Sequence, residues 1–106
     1  MSAIPHRVGE VGTRFAVRVR APSPTGILED VSLDGASAFE IEFLKPYGRI
    51  VAVEAAKDSG SNDIVWTCDD ESFIDEPGTW LLSANVTYAD GTRVRGSRRD
   101  MFFVNR

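Results

Sequence analysis

One cysteine and one histidine in 106 residues remove several kinds of chemistry before any pattern is sought. With Cys68 alone no intrachain disulfide can form, so a secreted disulfide scaffold is excluded. Its setting, Ile64-Val65-Trp66-Thr67-Cys68, reads as a small buried hydrophobe rather than a reactive thiol. Zinc sites built from several Cys and His ligands fail on count. His6 falls in a stretch expected to be an N-terminal arm, which leaves Ser-His-Asp and Cys-His arrangements without a placed base. Long apolar runs are missing as well: none approaches the roughly 20 residues of a membrane helix. The opening Met1-Ser2-Ala3-Ile4-Pro5-His6-Arg7 has no apolar signal-peptide core, so the chain is expected to stay in a cytoplasm until it is assembled into something. A basic excess is also lacking. The formal net charge of −4 and pI of 4.9 argue against a general nucleic-acid binder.

Other chemical patterns fail on spacing. Gly9-Glu10-Val11-Gly12 is not a phosphate loop, having neither the glycine spacing nor a helix expected after it. Asp69, Asp70, Glu71, Asp75 and Glu76 could offer oxygens to calcium, but they lack the alternating ligands and internal glycine of an EF-hand loop and read as a solvated acidic loop. Paired carboxylates for glycoside hydrolysis would need a cleft that a domain this small has little room for. Asn85-Val86-Thr87 matches a glycosylation acceptor by chance, since it sits on an expected strand. No catalytic residue, cofactor or metal is therefore expected.

What is present is alternation. Residues 14–20 place Phe15, Val17 and Val19 on one face and Arg14, Arg18 and Arg20 on the other, the mark of a half-buried strand. Ala21-Pro22-Ser23-Pro24-Thr25-Gly26 then interrupts the chain, and a short strand fits near 27–33. Residues 38–44 alternate again, with Phe39, Ile41 and Phe43 inward, and Lys45-Pro46-Tyr47-Gly48 turns the chain into a partner strand over 49–56. A strand over 63–68 follows. Residues 69–78 form a longer connection, with room for one helical turn and with Phe73 or Ile74 plugging the core edge. The longest strand spans 79–88, with Trp80, Leu82, Ala84, Val86 and Tyr88 on one face, so Trp80 reads as core rather than as a ligand platform. Asp90-Gly91 suits a hairpin turn, and the last strand, 93–104, carries a break or bulge at Gly96.

Seven short strands without a helical period predict one all-β domain, an immunoglobulin-like antiparallel β-sandwich over residues 13–106 preceded by an N-terminal arm over 1–12. A closed barrel satisfies the same alternation. Charge is uneven along the chain: residues 54–76 hold eight acidic side chains against Lys57 alone, whereas Arg93, Arg95, Arg98, Arg99 and Arg106 crowd the end. The segment 93–99 is either a charged edge that resists aggregation or a docking edge for a copy or a differently charged neighbour.

Several motifs in order carry a family likeness: Val8-Gly9-Glu10-Val11-Gly12-Thr13-Arg14-Phe15, Asp34-Gly35-Ala36 leading into Phe39-Glu40-Ile41-Glu42-Phe43, Lys45-Pro46-Tyr47-Gly48, Pro77-Gly78-Thr79-Trp80, and residues 84–92. Across residues 8–104 the chain resembles the small immunoglobulin-like virion domains of tailed bacteriophages, most closely the N-terminal domain of phage baseplate upper proteins. The resemblance implies a non-enzymatic structural protein located in the virion and made in the bacterial host cytoplasm. It would pack in multiple copies against other virion proteins or against itself, with no nucleic acid, membrane or small-molecule substrate as partner. The family's larger proteins continue into further domains, so the resemblance allows either a tail-tip, baseplate or fibre-adaptor piece or a free-standing neck or capsid cement protein. The expected partner-binding residues are Arg93, Arg95, Arg98 and Arg99 together with Pro5, His6 and Arg7 of the arm. The alternative function, a carbohydrate-binding or host-surface adhesin domain, would need exposed aromatics around a groove, with Tyr47 and Trp66 the first candidates.

Overall fold

The computed structural model describes residues 6–96 and 100–106. Every regular element among them is a strand: β1 (His6–Arg7), β2 (Arg14–Arg18), β3 (Arg20–Pro22), β4 (Leu28–Asp30), β5 (Ala36–Leu44), β6 (Ile50–Lys57), β7 (Asp63–Thr67), β8 (Gly78–Tyr88), β9 (Arg93–Arg95) and β10 (Asp100–Asn105). The hydrogen-bonded path runs β1-β10-β8-β5-β6-β7-β2, with β9 alongside β8 and β3 paired with β4.

β6 turns this path into a sandwich. Its residues from Ile50 to Ala55 pair with β5, whereas Ala56 and Lys57 pair with β7, which in turn pairs with β2. The chain thus leaves a main layer, β10-β8-β5-β6, and enters a smaller one, β7-β2, that folds back over it. Between the layers the main sheet contributes Ile41, Phe43, Trp80, Leu82, Ala84, Val86 and Val104, and the smaller layer contributes Phe15, Val17 and Ile64. Apart from Ile64 and Val104, these are the inward positions that alternation selects, and the all-β sandwich expected from sequence is the fold observed. Phe43 sits at the centre of an aromatic cluster, with edge contacts to Phe15 at 5.2 Å and Phe73 at 5.0 Å between ring centroids.

Departures from expectation have local causes. Among the described residues ten short strands replace seven, because two expected strands are interrupted and β1 is added. The run 14–20 divides at Val19, whose carbonyl accepts the Val31 amide, so that β3 can pair with β4 outside the main ladder. The run 93–104 breaks after Gly96: Asn85 pairs with Arg95 but Leu82 with Asp100, a slip of two residues along β8. Gly96 is needed there, since its amide donates to the Ala84 carbonyl at 2.7 Å and a Cβ would lie 3.0 Å from that same oxygen. No helical turn forms between β7 and β8. Asp70 instead caps a tight turn, and both candidate plugs are used, Ile74 fully buried and Phe73 packed against Trp66.

The expected arm over 1–12 is corrected for its described part. Residues 6–12 lie on the domain: β1 pairs with β10 in parallel, the one parallel pair among the described strands. The amides of Val8, Gly9 and Gly12 donate to the carbonyls of Asn105, Ile74 and Cys68. The physical reason is that backbone donors beside an incompletely paired strand gain more from its carbonyls than from water-exposed extension, and Gly9 and Gly12 supply the positive φ that lets the chain follow.

Candidate functional site

Residues paired across a sheet project to the same side, so the ladder registers define what the outer face of the main sheet displays. One row is apolar: Ile50 of β6 opposes Leu44 of β5, Leu44 opposes Leu81 of β8, and Leu81 opposes Met101 of β10. Phe103, two residues beyond Met101, extends it. These side chains are in contact with solvent, Ile50 at 65%, Met101 at 70% and Phe103 at 54% exposure, and Tyr47 at 71% stands on the turn that joins β5 to β6. A shallow hollow of about 70 Å³ opens between Leu44, Ile50, Leu81 and Ser83.

The next row holds Ala52, Glu42 and Ser83, and the one beyond is charged: Glu54, Glu40, Asn85 and Arg95 in order across β6, β5, β8 and β9. Arg93 follows on β9 opposite Thr87. A groove of about 300 Å³ runs among Glu40, Glu54, Asn85, Arg93 and Arg95. Here Asn85 Nδ2 donates to Glu40 Oε1 at 3.2 Å, while Asn85 Oδ1 is buried without a hydrogen-bond donor, alone in this among the described side chains. Arg95 reaches Glu42 only at 3.8 Å with its own side chain largely in water, so that pair holds little energy. Glu40 and Glu54 oppose each other directly, an arrangement of like charges that a sheet disfavours unless a cation is brought to it.

Of the expected partner-binding residues, Arg93 and Arg95 lie together on this face. Arg98, Arg99 and Pro5 lie outside the described residues. Arg7 is exposed on β1 opposite Asn105. His6 lies against the domain, half-buried: its ring packs edge-on to Phe102 and against Phe15, and its Nδ1 meets Glu10 Oε2 at 2.7 Å. Burial pushes the Glu10 carboxyl up, but hydrogen bonds to Thr13 and His6 with the His6 charge outweigh it and hold the carboxyl below its usual range. The adhesin candidates do not converge on a groove. Trp66 is half-buried among Phe15, Phe43 and Phe73, and neither it nor Tyr47 lines the cavities described above.

The turn at one end of the apolar row is fixed by a compact ion network. Lys45, 5% exposed, donates from Nζ to Asp75 Oδ1 at 2.9 Å and lies over the rings of Trp80 and Phe73. Glu76 is buried beside it, accepting the Tyr47 amide on its carboxylate and the Trp80 indole N–H on its carbonyl. The acidic loop expected to be solvated is in part this scaffold. Asp70 instead holds its own turn, and the backbone and side-chain hydrogen bonds from Ser72 keep its carboxyl below the usual range. Among the described residues no group of three or more His, Cys, Asp or Glu is placed to hold a metal. Cys68 is buried, with Sγ 3.4 Å from the Asp70 carbonyl.

The apolar row does not stand out in the alternation, because its members are spread one to a strand among outward positions. Its signal was present: Leu44, Ile50, Leu81 and Met101 occupy positions where a half-buried strand carries polar residues.

No family model matches the chain, and no curated protein matches it. Among solved structures it is similar to CopC from Methylosinus trichosporium OB3b, with 15% identity over 97% of this chain and 85% of that one and a TM-score of 0.50. At that identity the likeness concerns the fold alone.

Proposed function

We propose that this chain is a non-enzymatic assembly domain of a tailed-phage virion, docking on other virion proteins through the outer face of its main sheet. The observation that carries the assembly role is the apolar row of exposed Ile50 and Met101 flanking half-buried Leu44 and Leu81, with the charged row Glu54, Glu40, Asn85 and Arg95 two rows along the same face. Apolar side chains presented together with a charged margin are the usual make-up of a protein-protein interface, the first supplying desolvation and the second register. Arg93 and Arg95 take the charged margin's basic side. The virion setting comes from the sequence resemblance, and within it a tail-tip, baseplate or fibre-adaptor position stands beside a neck or capsid cement position. The test is addition of the purified chain to phage particles lacking it: saturation of a defined number of sites on heads or tails supports the proposal, and absence of binding removes it.

A second reading, a carbohydrate-binding or host-surface adhesin domain, is favoured by one observation, the polar groove whose Asn85 Oδ1 lacks a donor. A sugar hydroxyl supplies such a donor. Retention on a glycan array that Asn85→Ala abolishes would select this reading over the first.

A further inference from the structure

We propose that the outer face of the main sheet pairs with the same face of a second copy of this chain, about a two-fold axis parallel to the strands. This deepens the assembly reading above and rests on it, naming one partner for the same surface.

The order of side chains across the sheet selects both the partner and the axis. Along the charged row, the acidic groups Glu54 and Glu40 lie on β6 and β5 and the basic group Arg95 lies on β9 at the other side, with Arg93 one row further along β9. Along the strands, apolar and charged rows are separated by two residues per step. A two-fold axis along the strands, between β5 and β8, keeps each row on its own row and reverses the order within it. Ile50 of one copy then lies over Met101 of the other, and Leu44 over Leu81. In the charged row Glu54 meets Arg95 of the second copy, and its neighbours Glu40 and Asn85 meet across the axis. The carboxylates that oppose each other within one chain thereby gain a guanidinium at their margin, and the hollow beside Ile50 receives Met101. An axis across the strands through the middle of the face would lay the apolar row on the charged row, burying carboxylates against carbon, and one placed along the apolar row itself would leave the charged row outside the contact, so either is the costlier arrangement. An isologous contact of this kind closes on itself as a dimer.

The size fits a contact of moderate strength. Four strands spaced about 4.8 Å apart give a face about 19 Å wide, and five rows from Phe103 to Arg93 give a length of about 27 Å. That is about 500 Å² on each copy and about 1,000 Å² in all, at the lower bound of specific interfaces. Association is therefore expected only at micromolar or higher concentrations.

Sedimentation velocity on the full chain, from about 1 µM to about 1 mM, reads this directly. The expected result is a reversible monomer–dimer equilibrium that weakens at 1 M salt on the order expected for screened charge pairs. Glu40→Lys with Glu54→Lys, and separately Arg93→Glu with Arg95→Glu, should each weaken dimerisation at least about tenfold, and an equimolar mixture of the two should restore it as a heterodimer. Met101→Asp, at an exposed position, should abolish it without altering the melting temperature. A wild-type chain that stays monomeric throughout overturns the proposal, as does a dimer indifferent to both charge variants or a mixture that fails to pair. Particle binding separates the two levels: a monomer that still saturates particles removes self-pairing and leaves the assembly role. A dimer that ignores particles supports the pairing and removes the virion role.

Discussion

Replacing Lys45 by alanine should cost about 3.5–4.5 kcal/mol of stability, and replacing it by methionine about 1–2 kcal/mol. The difference separates what the buried stem does from what the charge does. Lys45 is 5% exposed, its Nζ lies 2.9 Å from Asp75 Oδ1, and the centroids of Trp80 and Phe73 are 5.3 and 5.6 Å from the ammonium. Alanine removes three buried methylenes, at about 0.8 kcal/mol each, and two cation–π contacts worth about 0.5–1 kcal/mol apiece. The ion pair adds little to this, because burying the ammonium offsets most of the attraction and because Asp75 keeps Arg49 at 3.2 Å when Lys45 is gone. Methionine retains the stem and loses only the charge. Urea titration and calorimetry read both variants: for a domain near 100 residues, 1 kcal/mol corresponds to roughly 4–8 °C, so the alanine variant should melt roughly 15–30 °C lower and the methionine variant roughly 5–15 °C lower than the parent. If methionine proves as damaging as alanine, the ion pair rather than the packed stem holds the turn, and the reasoning is refuted. The turn matters for the surface, since it carries Tyr47 and sets the end of β5 and the start of β6, where Leu44 and Ile50 begin the apolar row.

Deleting residues 1–12 should lower stability by about 2–4 kcal/mol, from three backbone hydrogen bonds of about 1 kcal/mol each plus the packed His6 ring, measured by urea titration. Gly96→Ala should cost about 1–3 kcal/mol, because the added Cβ meets the Ala84 carbonyl oxygen, and a variant that melts like the parent would show that the break in the last strand relaxes freely. Acid should destabilise the chain through Glu10, Asp70 and Asp90, whose carboxyls are all held below their usual range. Their contribution is complete above the unfolded carboxylate range of about 4 and is lost as pH falls through the lower folded values, so melting temperature should decline below about pH 4 and Glu10→Gln should flatten part of that decline. Cys68 should resist a bulky thiol reagent in the native state and react fully in denaturant, which labelling followed by mass measurement will show.

Much of this fold follows from period-two alternation. Phe15, Val17, Ile41, Phe43, Trp80, Leu82, Ala84 and Val86 are the buried set because alternation is a direct image of one face meeting a core. The turns at Gly48 and Gly91 were legible for a different reason: both residues take positive φ, which glycine alone adopts cheaply. Long-range pairing was not legible. Nothing local to His6 and Arg7 shows that they run parallel to Val104 and Asn105 almost a hundred residues later, so the segment looked like a free arm. Lys45 shows the same limit from another side, since a lysine beside a turn reads as surface until Asp75, Phe73 and Trp80 are brought to it. For the candidate site, the basic side was visible as a cluster of arginines in one short segment. The apolar row was scattered over four strands, and only the cross-strand registers assemble Ile50, Leu44, Leu81 and Met101 into one feature.

The most direct test of the outer face as the docking surface is the affinity of the purified chain for particles lacking it, measured beside the double variant Ile50→Glu, Met101→Glu. Both positions are exposed, so the variant should melt as the parent does. Binding weakened at least about tenfold, at unchanged stability, is the expected result for two apolar anchors of an interface. Equal binding by parent and variant would contradict the assignment of this face.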